Sequence, residues 1–159
     1  HVSAHQIRAF AKISCTLTNI EQFCAGALEV DSAKVMLDRA NHLLRSGELS
    51  MACILACSSC ETFMSAHLRD KLSEVGATES NKKPALDEVT FSQLVNAFSY
   101  FLVDMRDEGT KETIKSIDTI RRLRNKVIHQ GLWLNSQHKR TVERGIDAVR
   151  RLHRTLYRR

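Results

Sequence analysis

The chain has 159 residues, a net charge of +6, one proline and six glycines. That length supports one domain with a real core, and so little proline and glycine argues against a turn-rich β fold. The charge is lopsided: residues 121–159 carry twelve Lys/Arg against two Asp/Glu, while residues 1–120 carry twelve against sixteen. A basic end on a mildly acidic body points to a polyanionic partner, with nucleic acid the commonest kind, or else to a solubilising face.

No secretory leader is visible, and no apolar run reads as long enough to cross a bilayer. The chain opens at His1 rather than methionine, as expected of a piece excised from a longer protein. Cys15, Cys24, Cys53, Cys57 and Cys60 form an odd set inside helical, apolar patterns. They read as reduced thiols of a cytoplasmic or nuclear protein, acting as small buried hydrophobes. Cys53, Cys57 and Cys60 share a helix face, but a metal site needs a fourth ligand and none is evident. No metal or cofactor is implied.

Residues 3–28 read as a first helix, with Ile7, Phe10, Ile13, Leu17, Ile20, Cys24 and Leu28 as its stripe. It is either part of the domain or an extension of it. Residues 32–46 form a second, started at Asp31 or Ser32 and stopped by Gly47. Val35, Leu37, Ala40, Leu43 and Leu44 are expected inward. The third and longest runs from Glu48 to Val75. Its start, Met51 to Cys57, is apolar almost all round, which places it at the centre of the bundle. Glu61 sits at the edge of that stripe. A half-buried carboxylate wants a cation, and the helix carrying Arg124 is the expected donor; the alternative is an ordinary boundary glutamate.

Residues 76–89 carry the proline and read as a flexible loop. Thr90 caps a fourth helix to about Met105, with Phe91, Leu94, Val95, Phe98 and Leu102 inward. Asp107-Glu108-Gly109 breaks it, and Thr110 opens a fifth helix that ends near His129. Leu132-Trp133-Leu134 is a short apolar loop in which Trp133 is expected to pack on its own bundle, the alternative being to stack a base. Asn135 or Ser136 caps a sixth helix to about Tyr157, with Val142, Ile146, Val149, Leu152 and Leu156 inward. His5, His42, His67, His138 and His153 read as surface or boundary residues. No period-two alternation lasts long enough for a strand, so the fold class is all-α: a bundle of five to six helices in a single domain spanning 1–159.

The fifth helix holds the chemistry. Ile114, Ile117, Ile120, Leu123, Val127 and Ile128 share a broad face, and Arg124 falls near its middle. A guanidinium cannot give up its charge, so it is either paired in the core or faces a second surface that brings an anion. Asp118, Arg122, Asn125 and His129 line up on the other side. His129 also suits a plain capping role at the negative end of the helix dipole.

Arg124-Asn125-Lys126-Val127-Ile128-His129 resembles the R-x-x-x-x-H motif of HEPN domains, including the polar residue after the arginine. Asp118 and Gln130-Gly131 fit the same pattern. The stretch Leu43 to Leu49, followed by Ala52, Ala56 and Glu61, is similar to that family's first helical hairpin. The resemblance spans roughly residues 32–155. It implies a metal-independent endoribonuclease that leaves a 2′,3′-cyclic phosphate: His129 as general base, Arg124 as phosphate binder and Asn125 as positioning group, with Glu61 and Asp118 in support. Histidine suits this work because its ordinary pKa is about 6.5, and arginine supplies a permanent forked donor. Arg121, Arg122, Lys126, Lys139 and Arg140 are the expected contacts to the RNA backbone.

Five residues of helix separate Arg124 from His129, about 140° of rotation. Either the helix ends before His129, as Gly131 permits, or two copies meet across a twofold and share the site. The family uses the second arrangement, so a homodimer is expected. Where one branch of the family has a tyrosine modified by a partner nucleotidyltransferase, this chain has Gly131, so that form of control is not expected. Two other classes of function stand beside the nuclease: a non-catalytic module for dimerisation, nucleotide sensing or RNA binding within a larger protein, and a purely structural helical adaptor without salt-dependent RNA affinity.

Overall fold

The computed structural model describes residues 31–157. The chain divides into two compact units, His1–Asp31 and Ser32–Arg159. The expected first helix, with Cys15 and Cys24, lies outside the described residues. The second unit contains α1 (Ser32–Ser46), α2 (Leu49–Glu74), α3 (Glu79–Asp87), α4, α5 (Glu108–Gln130) and α6 (Lys139–Tyr157). Helix α4 is built of Phe91–Gln93, a π-helical turn Leu94–Phe98, and Ser99–Leu102. A 3₁₀ turn, Ser136–His138, precedes α6. No strand occurs among the described residues, so the fold is the expected all-α bundle.

Helices α1 and α2 form an antiparallel hairpin. Gly47 adopts φ +85°, a left-handed conformation that costs glycine little. The Glu48 amide then donates to the Leu43 carbonyl at 2.9 Å and closes the turn. At the far end, the Ser59 hydroxyl donates to the Ala33 carbonyl at 2.6 Å. Small residues allow this close pairing: Ala40, Ala52, Cys53, Ala56, Cys57 and Cys60 are wholly buried. Val35 is exposed, not inward. It lies about 200° round the helix from Ala33, on the face opposite Leu37 and Ala40.

By length and hydropathy α2 is long and apolar enough to cross a membrane, contrary to the sequence expectation. Its apolarity has another use here. Of its most apolar window, 56% is buried by the other helices, as the central position of α2 in the bundle requires.

Residues 76–89 are not a loop throughout. Thr78 is followed by nine residues of helix that contain Pro84. The fixed φ of proline is already helical, so it costs one hydrogen bond and some crowding rather than the whole helix. Packing offsets that cost, since Leu86 and Val89 rest on the core and Lys82 is buried with its ammonium 2.7 Å from Glu79. Helix α4 starts where expected, on a reciprocal Thr90–Gln93 capping box. It stops at Leu102 rather than near Met105 because Val103 turns extended (φ −135°, ψ 160°) and buries its side chain. Helix α5 opens two residues before Thr110. The Asp107 carboxylate accepts the Thr110 amide at 2.6 Å and serves as N-cap.

Helices α5 and α6 run antiparallel, with the Arg151 guanidinium reaching the Thr113 hydroxyl at 3.4 Å. Gly145 sits directly on Ile120: a Cβ added there would lie 2.0 Å from Ile120 Cγ2. All five residues expected inward on α6 are buried. His153, expected near the surface, is buried with its ring 3.8 Å from that of Phe63.

Two stability predictions follow from these contacts. Alanine at Gly145 gains about 1 kcal/mol of helix propensity, but overpacking a fixed core costs about 1–3 kcal/mol. The clash should win in urea denaturation, and Ile120→Ala should cost less in the Gly145→Ala background than in the wild type. The hydrogen bonds from Thr110 hold the Asp107 carboxyl below the usual carboxylate range. Stability from this cap is therefore present above the unfolded aspartate pKa of about 3.9 and lost as the pH falls through the lower folded value. The Tm deficit of Asp107→Ala, followed by circular dichroism, should be full at neutral pH and close in acid.

Candidate functional site

Helix α5 continues without a break through Asn125 and His129 to Gln130. It ends at Gly131 (φ +65°), where the amides of Gly131 and Leu132 both turn back to the Lys126 carbonyl. The possibility that the helix stops before His129 is thereby excluded. Arg124 and His129 stay about 140° apart on one rigid element, and this chain alone does not aim both at one phosphate.

Arg124 lies over α2. Its Nη2 is 4.0 Å from Glu61 Oε2, so the expected partnership between Glu61 and the Arg124 helix is present. Its Nη1 donates to Asn125 Oδ1 at 3.3 Å. Its Nε is buried and finds no hydrogen-bond acceptor. One carboxylate at 4.0 Å is a loose match for five donors, and the side chain keeps a quarter of its surface exposed. Ile128, next along the same seam, is exposed rather than buried. The seam changes from closed to open between Ile120 and Ile128.

The charge of Arg124 is felt by Cys53 and Cys57 of α2. A hydrogen bond from Cys57 lowers the Cys53 thiol below its ordinary range, and Arg124 adds to the effect against the opposing influence of burial. The same hydrogen bond and burial push Cys57 up, while burial alone is the main cause that raises Cys60. All three are free thiols. Among the described residues no group of three or more His, Cys, Asp or Glu is placed to hold a metal ion.

On the other side of α5, Asp118 accepts hydrogen bonds from Arg121 Nε at 2.9 Å and Arg122 Nε at 2.8 Å. Asp118 and Arg121 are both largely buried, whereas Arg122 is exposed. Arg121 is thus committed to the scaffold, and Arg122 reaches solvent with its outer nitrogens. Lys126 and His129 are exposed, and Asn125 is half-buried. Lys139 and Arg140 are exposed at the start of α6.

Between α5 and α6 lies a groove of about 550 Å³ whose walls include Lys115, Arg122, Lys126, Leu123, Leu132 and His138. Lys115 was not singled out in the sequence, and His138 was read only as a surface or boundary residue. Lys115 was visible in principle, because positions 115, 119, 122 and 126 repeat at helical spacing. His138 was not, because its place depends on a local cap: Asn135 Oδ1 lies 2.9 Å from His138 Nδ1, and the Asn135 amide also donates to that nitrogen. Trp133 does not pack on the bundle but stands exposed beside Met51 at a shallow groove of about 300 Å³. The loop anchors itself through Leu134 instead, whose side chain is buried and whose amide donates to Ser50 Oγ at 3.0 Å. In extended chain, neighbouring side chains point opposite ways, so a buried Leu134 turns Trp133 out.

No protein-family model, curated protein or solved structure matches this chain. The chemistry of the site therefore rests on its own residues.

The buried thiols give a direct check on this packing. Alkylation of the native protein, mapped by mass spectrometry, should leave Cys57 and Cys60 unmodified until denaturant is added, since both access and the raised thiol pKa oppose thiolate attack.

Proposed function

We propose that this domain is a metal-independent endoribonuclease acting on single-stranded or looped RNA, with a site completed by a second copy of the chain. One observation carries the reading. An unbroken helix holds Arg124 and His129 on different faces, while the guanidinium keeps an unanswered Nε and partial exposure at the open end of its seam. A second copy brings what the single chain lacks, an imidazole opposite an arginine, and exposed Ile128 supplies apolar surface beside it.

In that arrangement His129 takes the proton from a ribose 2′-hydroxyl. The 2′-oxygen attacks the adjacent phosphorus, the bond to the 5′-oxygen breaks, and that oxygen leaves with a proton drawn from water while the His129 imidazolium returns its own to solvent. The products are a 2′,3′-cyclic phosphate and a 5′-hydroxyl. Arg124 stabilises the charge that grows on the phosphoryl oxygens, and Asn125, already bonded to Arg124, orients it.

The contact between Arg124 and Glu61 favours a second reading. A guanidinium satisfied by its own bundle belongs to a non-catalytic module that dimerises or binds RNA or nucleotides within a larger protein.

Incubation of single-stranded RNA with the protein in EDTA separates the two. The nuclease reading expects cyclic-phosphate ends, and a loss of about 10²–10⁴ in rate for His129→Ala with an unchanged melting curve. Mixing His129→Ala with Arg124→Gln should restore part of the activity, because one mixed dimer holds one intact pairing. Absence of metal-independent cleavage by the wild type would leave the non-catalytic module.

A further inference from the structure

We infer that the groove between α5 and α6 is a track for the sugar-phosphate backbone of an RNA strand, and that it leads toward His129 rather than toward Arg124. The inference rests on the RNA reading above and assigns that reading a binding site.

The α5 wall presents Lys115, Thr119, Arg122 and Lys126 in one row. At 1.5 Å per residue the row spans about 16 Å, the length of four to five stacked nucleotides at about 3.4 Å each. Neither Lys115 nor Lys126 has a carboxylate partner among the described residues. Asp118, the acid among the described residues that line this groove, is already covered by two arginines. Its polyanion-repelling charge is therefore neutralised within the protein, while two ammonium groups remain for a ligand. Such point charges, with a hydroxyl between them, suit phosphate oxygens and carry no sequence information.

The α6 side completes the site. His138 has its Nδ1 engaged by Asn135, which leaves Nε2 as the open edge of the ring. A second groove of about 460 Å³ shares Lys115, Thr119 and Thr141 with the first and adds Arg144 and Arg151, so the two form one continuous trough. The far part also holds Glu112 and Asp147, with Asp147 bonded to Arg150. Positive charge is therefore in greater excess at the His138 end. Leu123 and Leu132 give that end an apolar surface on which a sugar can rest.

Direction comes from the helical rotation. Seven residues separate Arg122 from His129, which places them within about 20° of each other, whereas Arg124 lies about 160° from Arg122. A strand lying along Lys115, Arg122 and Lys126 meets His129 about one turn later on the same face. This assigns binding to Lys115, Arg122, Lys126 and His138, and gives Lys139 and Arg140 on the outer face a lesser share.

The test is binding of a short fluorescein-labelled single-stranded RNA, read by fluorescence anisotropy against salt concentration, in the uncleaving His129→Ala background. Lys115→Gln/Lys126→Gln should weaken binding by about tenfold and flatten the slope of log K against log salt by about 1.4, near 0.7 for each lost contact. Both lysines are exposed, so melting curves should be unchanged. Lys139→Gln/Arg140→Gln should weaken binding less than about twofold. Equal effects of the two pairs, or a larger effect of the second, would overturn the track. Repeating cleavage with His129 restored separates this inference from the nuclease reading. Normal binding loss without any cleavage by the parent protein sinks the nuclease and leaves the track; full binding and cleavage by the lysine variant sinks the track and leaves the nuclease.

Discussion

Ile120 is where three helices lock together. Its carbonyl accepts a hydrogen bond from the Cys53 thiol of α2 at 3.6 Å, and its side chain fills the space left by Gly145 of α6. Nothing larger than glycine fits at that crossing without displacing a residue that is almost fully buried. The rotational setting of α5 is therefore fixed by packing, and every charged residue further along the helix takes its direction from it. Arg124, one turn beyond Ile120, must lie over α2. Arg122 and Lys126 must face the trough beside α6.

This setting gives α5 two working sides with different electrostatics. Over α2, a single guanidinium meets a single half-exposed carboxylate at 4.0 Å and leaves one buried donor unanswered. A buried polar group without a partner is costly. Toward α6, acids and bases are not balanced one to one. Asp118 binds two arginines, and Lys115 and Lys126 on either side of it have no carboxylate partner among the described residues. One side is thus suited to a localised anion held tightly, and the other to a diffuse row of phosphates. The nuclease proposed above would need both, since the strand must be held along its length while one phosphate is stabilised. On the proposed reading, the unbroken helix separates the two functions by rotation, and a twin subunit brings them together again.

The elements misread from sequence share a cause. Pro84 reads as loop by local preference, yet its segment is helical because Leu86, Val89 and buried Lys82 find contacts that local preference cannot anticipate. Trp133 reads as a packing residue by its size, yet Leu134 and Ser50 occupy the available anchor. His153 reads as a boundary residue on a basic helix, yet Phe63 of α2 covers its ring. In each case a partner distant in sequence decided the outcome. Val35 is different: its exposure follows from helical rotation alone and was open to a stricter reading of the pattern.

Taken by itself, the sequence determined the class of fold, the extents of α1 and α2, the inward faces of α4 and α6, and the presence of a charge in the seam of α5. These depend on spacing along one chain, and helical geometry converts spacing into direction. Tertiary structure alone decided that Arg124 meets Glu61, that Arg121 is buried against Asp118 while Arg122, bonded to the same carboxylate, stays exposed, and that Lys115 and His138 share a trough. Those outcomes depend on how closely two helices approach, and that distance was set by the absence of a side chain at Gly145, which no periodic pattern records.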